Sequence, residues 1–133
     1  APDVTVEAYC TLAEIQLAKN EPVQAEESAQ TAAKLAAQIG VSKLIAASWR
    51  LTSASLLRQG EIQKASPALE TAWRALADGP DQLEDGRLHA QARLVALAEK
   101  DAPLAQRHRD AAEQIFKRLG VSRDLTLLEN IEG

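Results

Sequence analysis

The chain is 133 residues long, enough for one compact domain or a short helical array. Alanine and leucine dominate its apolar content, Met is absent, and the aromatics are limited to Tyr9, Trp49, Trp73 and Phe116. That excludes a β-sandwich or barrel, which would want β-branched and aromatic residues in alternation. The net charge of −4 argues against a general affinity for nucleic acid or anionic lipid.

The charge is uneven. Residues 1–40 hold six acidic and two basic groups, residues 41–80 three acidic and five basic, residues 81–120 seven of each, and residues 121–133 three acidic and one basic. The basic middle suits an acidic peptide. Cys10 is the single cysteine, so no disulfide can form within the chain, and a reducing, cytoplasmic setting is expected. No apolar run reaches the roughly 18–20 residues that cross a bilayer, so no membrane role is expected. The start at Ala1-Pro2-Asp3, without Met or leader, reads as an excised segment of a longer protein.

In the first helix Val6, Tyr9, Leu12, Ala13 and Leu17 recur at three- and four-residue steps and mark the expected buried face. Asn20-Glu21-Pro22 ends that helix and starts the second, because proline is at ease in a first helical turn. Val23, Ala25, Ala29, Ala32, Ala33 and Leu35 form the expected face of the second helix. Gly40 supplies a left-handed stop, and Ser42 is expected to cap the third helix. Further helices are expected near 42–59, 62–77, 82–99 and 103–119, with Asp78-Gly79-Pro80-Asp81 as a longer link. A last short helix, about 122–131, presents Leu125, Leu128 and Ile131 as a cap.

These elements repeat at a lag of 40 residues. The turn residues Asn20, Gly60 and Lys100 fall in register, as do Ala25, Ala65 and Ala105, then Ala32, Ala72 and Ala112. Tyr9, Trp49 and His89 set a flat ring at one place in each unit, and Gly40, Gly79 and Gly120 stand at the unit ends. Small residues at the repeated places let antiparallel helices approach to about 8–10 Å.

An early aromatic, a small turn residue, and two alanines in the second helix make each unit similar to the tetratricopeptide repeat. The likeness is good at Tyr9, Leu12, Asn20, Ala25 and Ala32, and at Trp49, Gly60, Ala65 and Ala72; the third unit departs from it with His89 and Lys100. The usual unit is about 34 residues. The longer unit here resembles repeats of large bacterial regulators such as multidomain signalling ATPases, transcription activators and receptor-like kinases. The resemblance implies an all-α fold: a right-handed α-solenoid of three antiparallel helix pairs plus a C-terminal capping helix. Residues 1–133 form a single domain on this reading, with repeats at about 4–40, 41–80 and 81–120.

No catalytic constellation is present: the chain has no Gly-rich phosphate loop, HExxH, CxxC or GxSxG. An enzyme is not expected, nor is a cofactor. His89 and His108 lie on different helices without further converging ligands, so no metal is expected; His89 reads as a packed ring and His108 as a solvated one. Cys10 has Glu7 and Glu14 at helical spacing, which would raise its thiol pKa and disfavour a reactive thiolate.

The resemblance places a partner-binding groove along the first helix of each pair. The matching positions are Cys10, Glu14 and Leu17, then Arg50, Ala54, Leu57 and Arg58, then Arg87, Leu94 and Leu97. They describe an apolar trough with three arginines and an acidic end, suited to an acidic peptide or protein segment with an apolar stripe. Family members that grip a chaperone's C-terminal carboxylate use Lys and Asn where this chain has Cys10 and Glu14, so that role is not expected. The function expected is a protein–protein interaction module in a larger bacterial signalling or transcription-regulatory protein. Self-association into a homo-oligomer is the alternative.

Overall fold

The computed structural model describes residues 1–130. It consists of α1 (Pro2–Ala18), α2 (Pro22–Ile39), α3 (Ser42–Arg58), α4 (Ile62–Asp78), α5 (Gln82–Ala98), α6 (Ala102–Leu119) and α7 (Ser122–Asn130), with no strand among the described residues. Two compact units are present, Ala1–Pro80 and Asp81–Gly133. In the first, α1 pairs with α2 and α3 with α4, while α2 also packs along α3 and α1 touches α3 more lightly. In the second, α5 pairs with α6, and α7 lies against α6.

The turn inside each pair is built the same way. Asn20, Gly60 and Lys100 have φ of 59°, 80° and 61°. The N–H of the next residue donates five positions back, Glu21 to Gln16 at 2.8 Å, Glu61 to Leu56 at 2.9 Å and Asp101 to Ala96 at 2.9 Å. The left-handed residue itself donates to Leu17, Leu57 or Leu97 at 3.0–3.1 Å. This Schellman pattern satisfies carbonyls that a helix end leaves open.

The links between pairs differ. Gly40 and Gly120 are left-handed stops, at φ 68° and 70°. Gly79 is not: its φ is −151°, and a Cβ there would stand 2.7 Å from the Cβ of Ser42. Its smallness, not its torsional freedom, is what the site requires. Ser42 is the first helical residue of α3 and does not cap it; Val41 holds that place. Side-chain caps occur instead at Asp81, whose Oδ1 accepts from the N–H of Glu84 at 2.9 Å, and at Asp101, which accepts from Leu104 at 3.1 Å.

The repeated alanines are all buried, as close helix pairing requires. A second set of positions trades volume between partners. Val6 and Ala36 share the core of the first pair, their equivalents in the second are Ala46 and Leu76, and in the third Gly86 and Phe116. A Cβ on Gly86 would lie 2.6 Å from Phe116 Cε1. The largest fully buried side chain therefore faces the smallest residue.

Helix α3 buries Ser48, Thr52, Ser53 and Ser55. Ser48, Thr52 and Ser55 donate to carbonyls four residues back at 2.7–2.9 Å. Ser53 instead donates across to Ala65 O of α4 at 2.9 Å, so each hydroxyl is hydrogen-bonded. Two expected core residues face outward: Leu12 and Val23 are exposed. Cys10 takes the inner place on α1 with Val6 and Ala13. The correction has a simple cause: apolar residues surround α1, so three-four spacing fits more than one face. Helix α7 seats Leu128 against Ile115 and Phe116, with Leu125 beside them; Ile131 lies outside the described residues.

Candidate functional site

Within the first unit, the residues read as a groove separate into two groups. Cys10 is corrected to a core position: its Sγ lies 3.6 Å from Ser48 Oγ, between α1 and α3. It presents almost no surface to a partner. Leu17 is half-buried and packs on the core. Glu14 is exposed. On α3, Arg50, Ala54 and Leu57 are half-buried and Arg58 is exposed. The spacing of 50, 54 and 57–58 sets these four on one face, away from the α3 stripe that packs beneath α2.

Arg58 Nη1 donates to Leu17 O at 3.2 Å. A guanidinium at the last turn of α1 meets the negative end of that helix and fastens α3 to it. Gln59 makes a similar fastening on the other side, donating from Nε2 to Glu26 Oε1 at 2.9 Å and more weakly to Pro22 O at 3.4 Å. The α3 face is therefore held between two neighbours at its C-terminal end, and it carries basic and apolar groups together.

In the second unit, Arg87 does not stand open. Its Nε and Nη2 donate to Asp124 Oδ1 and Oδ2 at 3.0 and 3.4 Å. The expectation of a guanidinium waiting for a partner's carboxylate is thus corrected, because α7 already supplies that carboxylate. Leu94 is half-buried and Leu97 exposed on the same helix.

The second unit also joins two residues that sequence reasoning left apart. His89 Nδ1 and His108 Nδ1 are 2.9 Å apart, so His108 is a packed partner and not a solvated ring. The ring centroids are 5.2 Å apart. With each centroid about 1.2 Å behind its nitrogen, the two nitrogens point at one another along a single line. That alignment suits one shared proton, whereas a bridging metal would need both lone pairs turned toward a point off the line. His89 Nε2 lies 3.7 Å from Asp85 Oδ1. Burial lowers the pKa of His89, against the opposing pull of Asp85. His108 is lowered by burial first, then by His89 and Arg107. No group of three potential metal ligands occurs among the described residues. No described helix is long and apolar enough to cross a membrane.

No family profile matches this chain, and no curated protein matches it either. Among solved structures, the chain is similar to the TPR domain of Arabidopsis FLU. The likeness covers 92% of this chain and 100% of that one, at a TM-score of 0.63 and 17% sequence identity. Paired helices, a left-handed turn at one place in each pair and alanines at the crossings agree with that likeness. The chain has the all-α helical-repeat fold of a tetratricopeptide domain.

Proposed function

We propose that this chain is a protein–protein interaction module and not an enzyme, holding a peptide or protein segment against the face carried by α3. The observation that supports the reading most directly is the shared face of Arg50, Ala54, Leu57 and Arg58, two cations around two apolar side chains outside the fully buried core. A segment with an apolar stripe and one or two carboxylates would bury the apolar atoms while the guanidiniums bond its acids. Glu14 borders that region at an acidic end, and Leu94 and Leu97 offer apolar surface in the second unit. The net charge of −4 supports neither nucleic acid nor an anionic membrane as partner. The finer context proposed is one domain, residues 1–133, of a larger bacterial signalling or transcription-regulatory protein in the cytoplasm. The forty-residue repeat and the lone Cys10 support it.

The test is selection of a displayed random-peptide library on the wild-type chain and on the Arg50→Glu/Arg58→Glu variant. Enrichment of acidic sequences with apolar residues at three- and four-residue steps, lost in the variant, is the expected result. Identical selections on both proteins would remove the reading. Self-association is a second reading, favoured by the exposed Val4, Leu12 and Ile15. Sedimentation at a single monomeric mass over a wide concentration range would dismiss it.

A further inference from the structure

Every charged side chain of α1 is acidic: Asp3, Glu7 and Glu14, with no Lys or Arg from Pro2 to Ala18. Every charged side chain of α3 is basic: Lys43, Arg50 and Arg58, with no Asp or Glu from Ser42 onward. The two helices lie side by side and run in the same direction. Cys10 Sγ stands 3.6 Å from Ser48 Oγ, and further along both helices Leu17 O accepts from Arg58 Nη1 at 3.2 Å. Asp3, Glu7 and Glu14 are the repeat equivalents of Lys43, Ala47 and Ala54, so both charged faces look out of one side of the first unit. At 100° per residue the acids share about 40° of arc on α1, and the cations about 80° on α3. Asp3, Glu7, Glu14, Lys43 and Arg58 are exposed. Asp3, Glu7, Glu14 and Lys43 make no ion pair among the described residues. Between the two rims lie Leu17, Ala47 and Ala54, all half-buried.

We infer that this two-signed trough takes a helical segment with carboxylates along its edge toward α3 and lysines or arginines along its edge toward α1. The inference rests on the reading of α3 as a docking face, and adds the opposite rim and the segment's conformation and direction. The charges follow from complementarity: an all-acidic segment would meet Glu7 and Glu14 as well as the cations. The conformation follows from the rims. Carboxylates only accept hydrogen bonds, and ammonium and guanidinium groups only donate them. An extended segment alternates N–H and C=O along both its edges, so half of those groups would face a rim of like character. A helix closes its own backbone bonds, and the small Ala47 and Ala54 let it approach closely. Direction follows from the sign order. Turning a helix end for end on the same floor exchanges its two flanks, so a segment with one acidic and one basic flank fits in one direction alone.

The probes are three synthetic helical peptides with one apolar stripe of Ala and Leu at heptad positions a and d. The first carries Glu at e and Lys at g, the second exchanges them, and the third has Glu at both. Each bears a spin label at its N-terminus and is titrated into the isotope-labelled full chain. The expected result is amide shifts at residues 3–18 and 43–58 with the two mixed peptides. Their labels should broaden opposite ends of the trough, one near residues 3 and 43 and the other near 18 and 58. The all-Glu peptide should bind about three- to tenfold more weakly. That deficit should disappear in the Glu7→Lys/Glu14→Lys chain, whose altered positions are exposed and whose helices circular dichroism checks. Equal affinity for all three peptides, or one direction shared by both mixed peptides, overturns the inference and leaves α3 as a docking face. No shifts at residues 43–58 with any peptide removes the α3 reading and this inference with it.

Discussion

His89 and His108 share one hydrogen bond between α5 and α6, Nδ1 to Nδ1 at 2.9 Å. Only one proton fits on that line. A second would point two N–H groups at one another and charge one of the rings, with Arg107 adding to the repulsion at His108 and Asp85 relieving it at His89.

Both rings therefore titrate below the ordinary value of 6.5 in the folded chain. Below that pH the unfolded chain takes up protons that the folded pair resists, so stability is complete above about pH 6.5 and declines as the pH falls toward the lowered folded values. Thermal unfolding should show a midpoint that drops between about pH 7.5 and pH 5.5. His108→Ala should flatten that dependence even if it lowers the midpoint throughout. An equally steep decline in the variant would show that the pair does not cause it.

Arg87 and Asp124 should hold α7 in place more than they stabilise the whole chain. The arginine is partly exposed, so Asp124→Asn is expected to cost no more than about 1 kcal/mol globally. Its effect should concentrate in hydrogen exchange at residues 122–130, with faster exchange there and unchanged rates in α1–α4. Uniform acceleration would contradict the assignment.

Lys100 adopts φ 61° where the equivalent residue of the second pair is Gly60. A side chain at this torsion is strained by roughly 1 kcal/mol. Lys100→Gly should thus stabilise the chain by about 0.5–1 kcal/mol in urea unfolding, and Gly60→Val should destabilise it by 1 kcal/mol or more, as an order of magnitude. No change in either variant would mean that the turns relax freely.

Gly86→Ala should cost about 1–3 kcal/mol through its clash with Phe116. Phe116→Ala alone should cost about 3–5 kcal/mol by leaving a cavity. Combining Gly86→Ala with Phe116→Leu should recover part of the first loss, which a double-mutant cycle measures directly. Strict additivity would show that the two residues do not share the space.

The backbone was largely readable from the amino-acid string because its determinants are local and recur. Asn20, Gly60 and Lys100 could be aligned by position alone, and all three are left-handed. Direction around a helix was harder. Val4, Leu12 and Ile15 stand opposite Val6, Cys10 and Ala13 on α1, and hydrophobicity alone does not say which stripe turns inward. Cys10, assigned to the groove by resemblance, lies on the inner stripe. The pairing of Arg87 was not legible for another reason: its carboxylate partner is 37 residues away, and no periodic signal connects a residue of α5 with the cap. The histidine pair was missed likewise, since 19 residues of helix and turn separate rings that the hairpin brings face to face.

The trade of Val6 with Ala36, Ala46 with Leu76 and Gly86 with Phe116 has a consequence for assembly. A tandem array risks joining the wrong members while it folds, because near-identical segments compete for one another. Here the hinges are interchangeable but the cores are not: Phe116 would collide with Val6 or Ala46, and Ala36 would leave a void beside Gly86. Each helix thereby rejects its counterparts by size, and duplicated segments acquire separate identities without any change in the turns that join them.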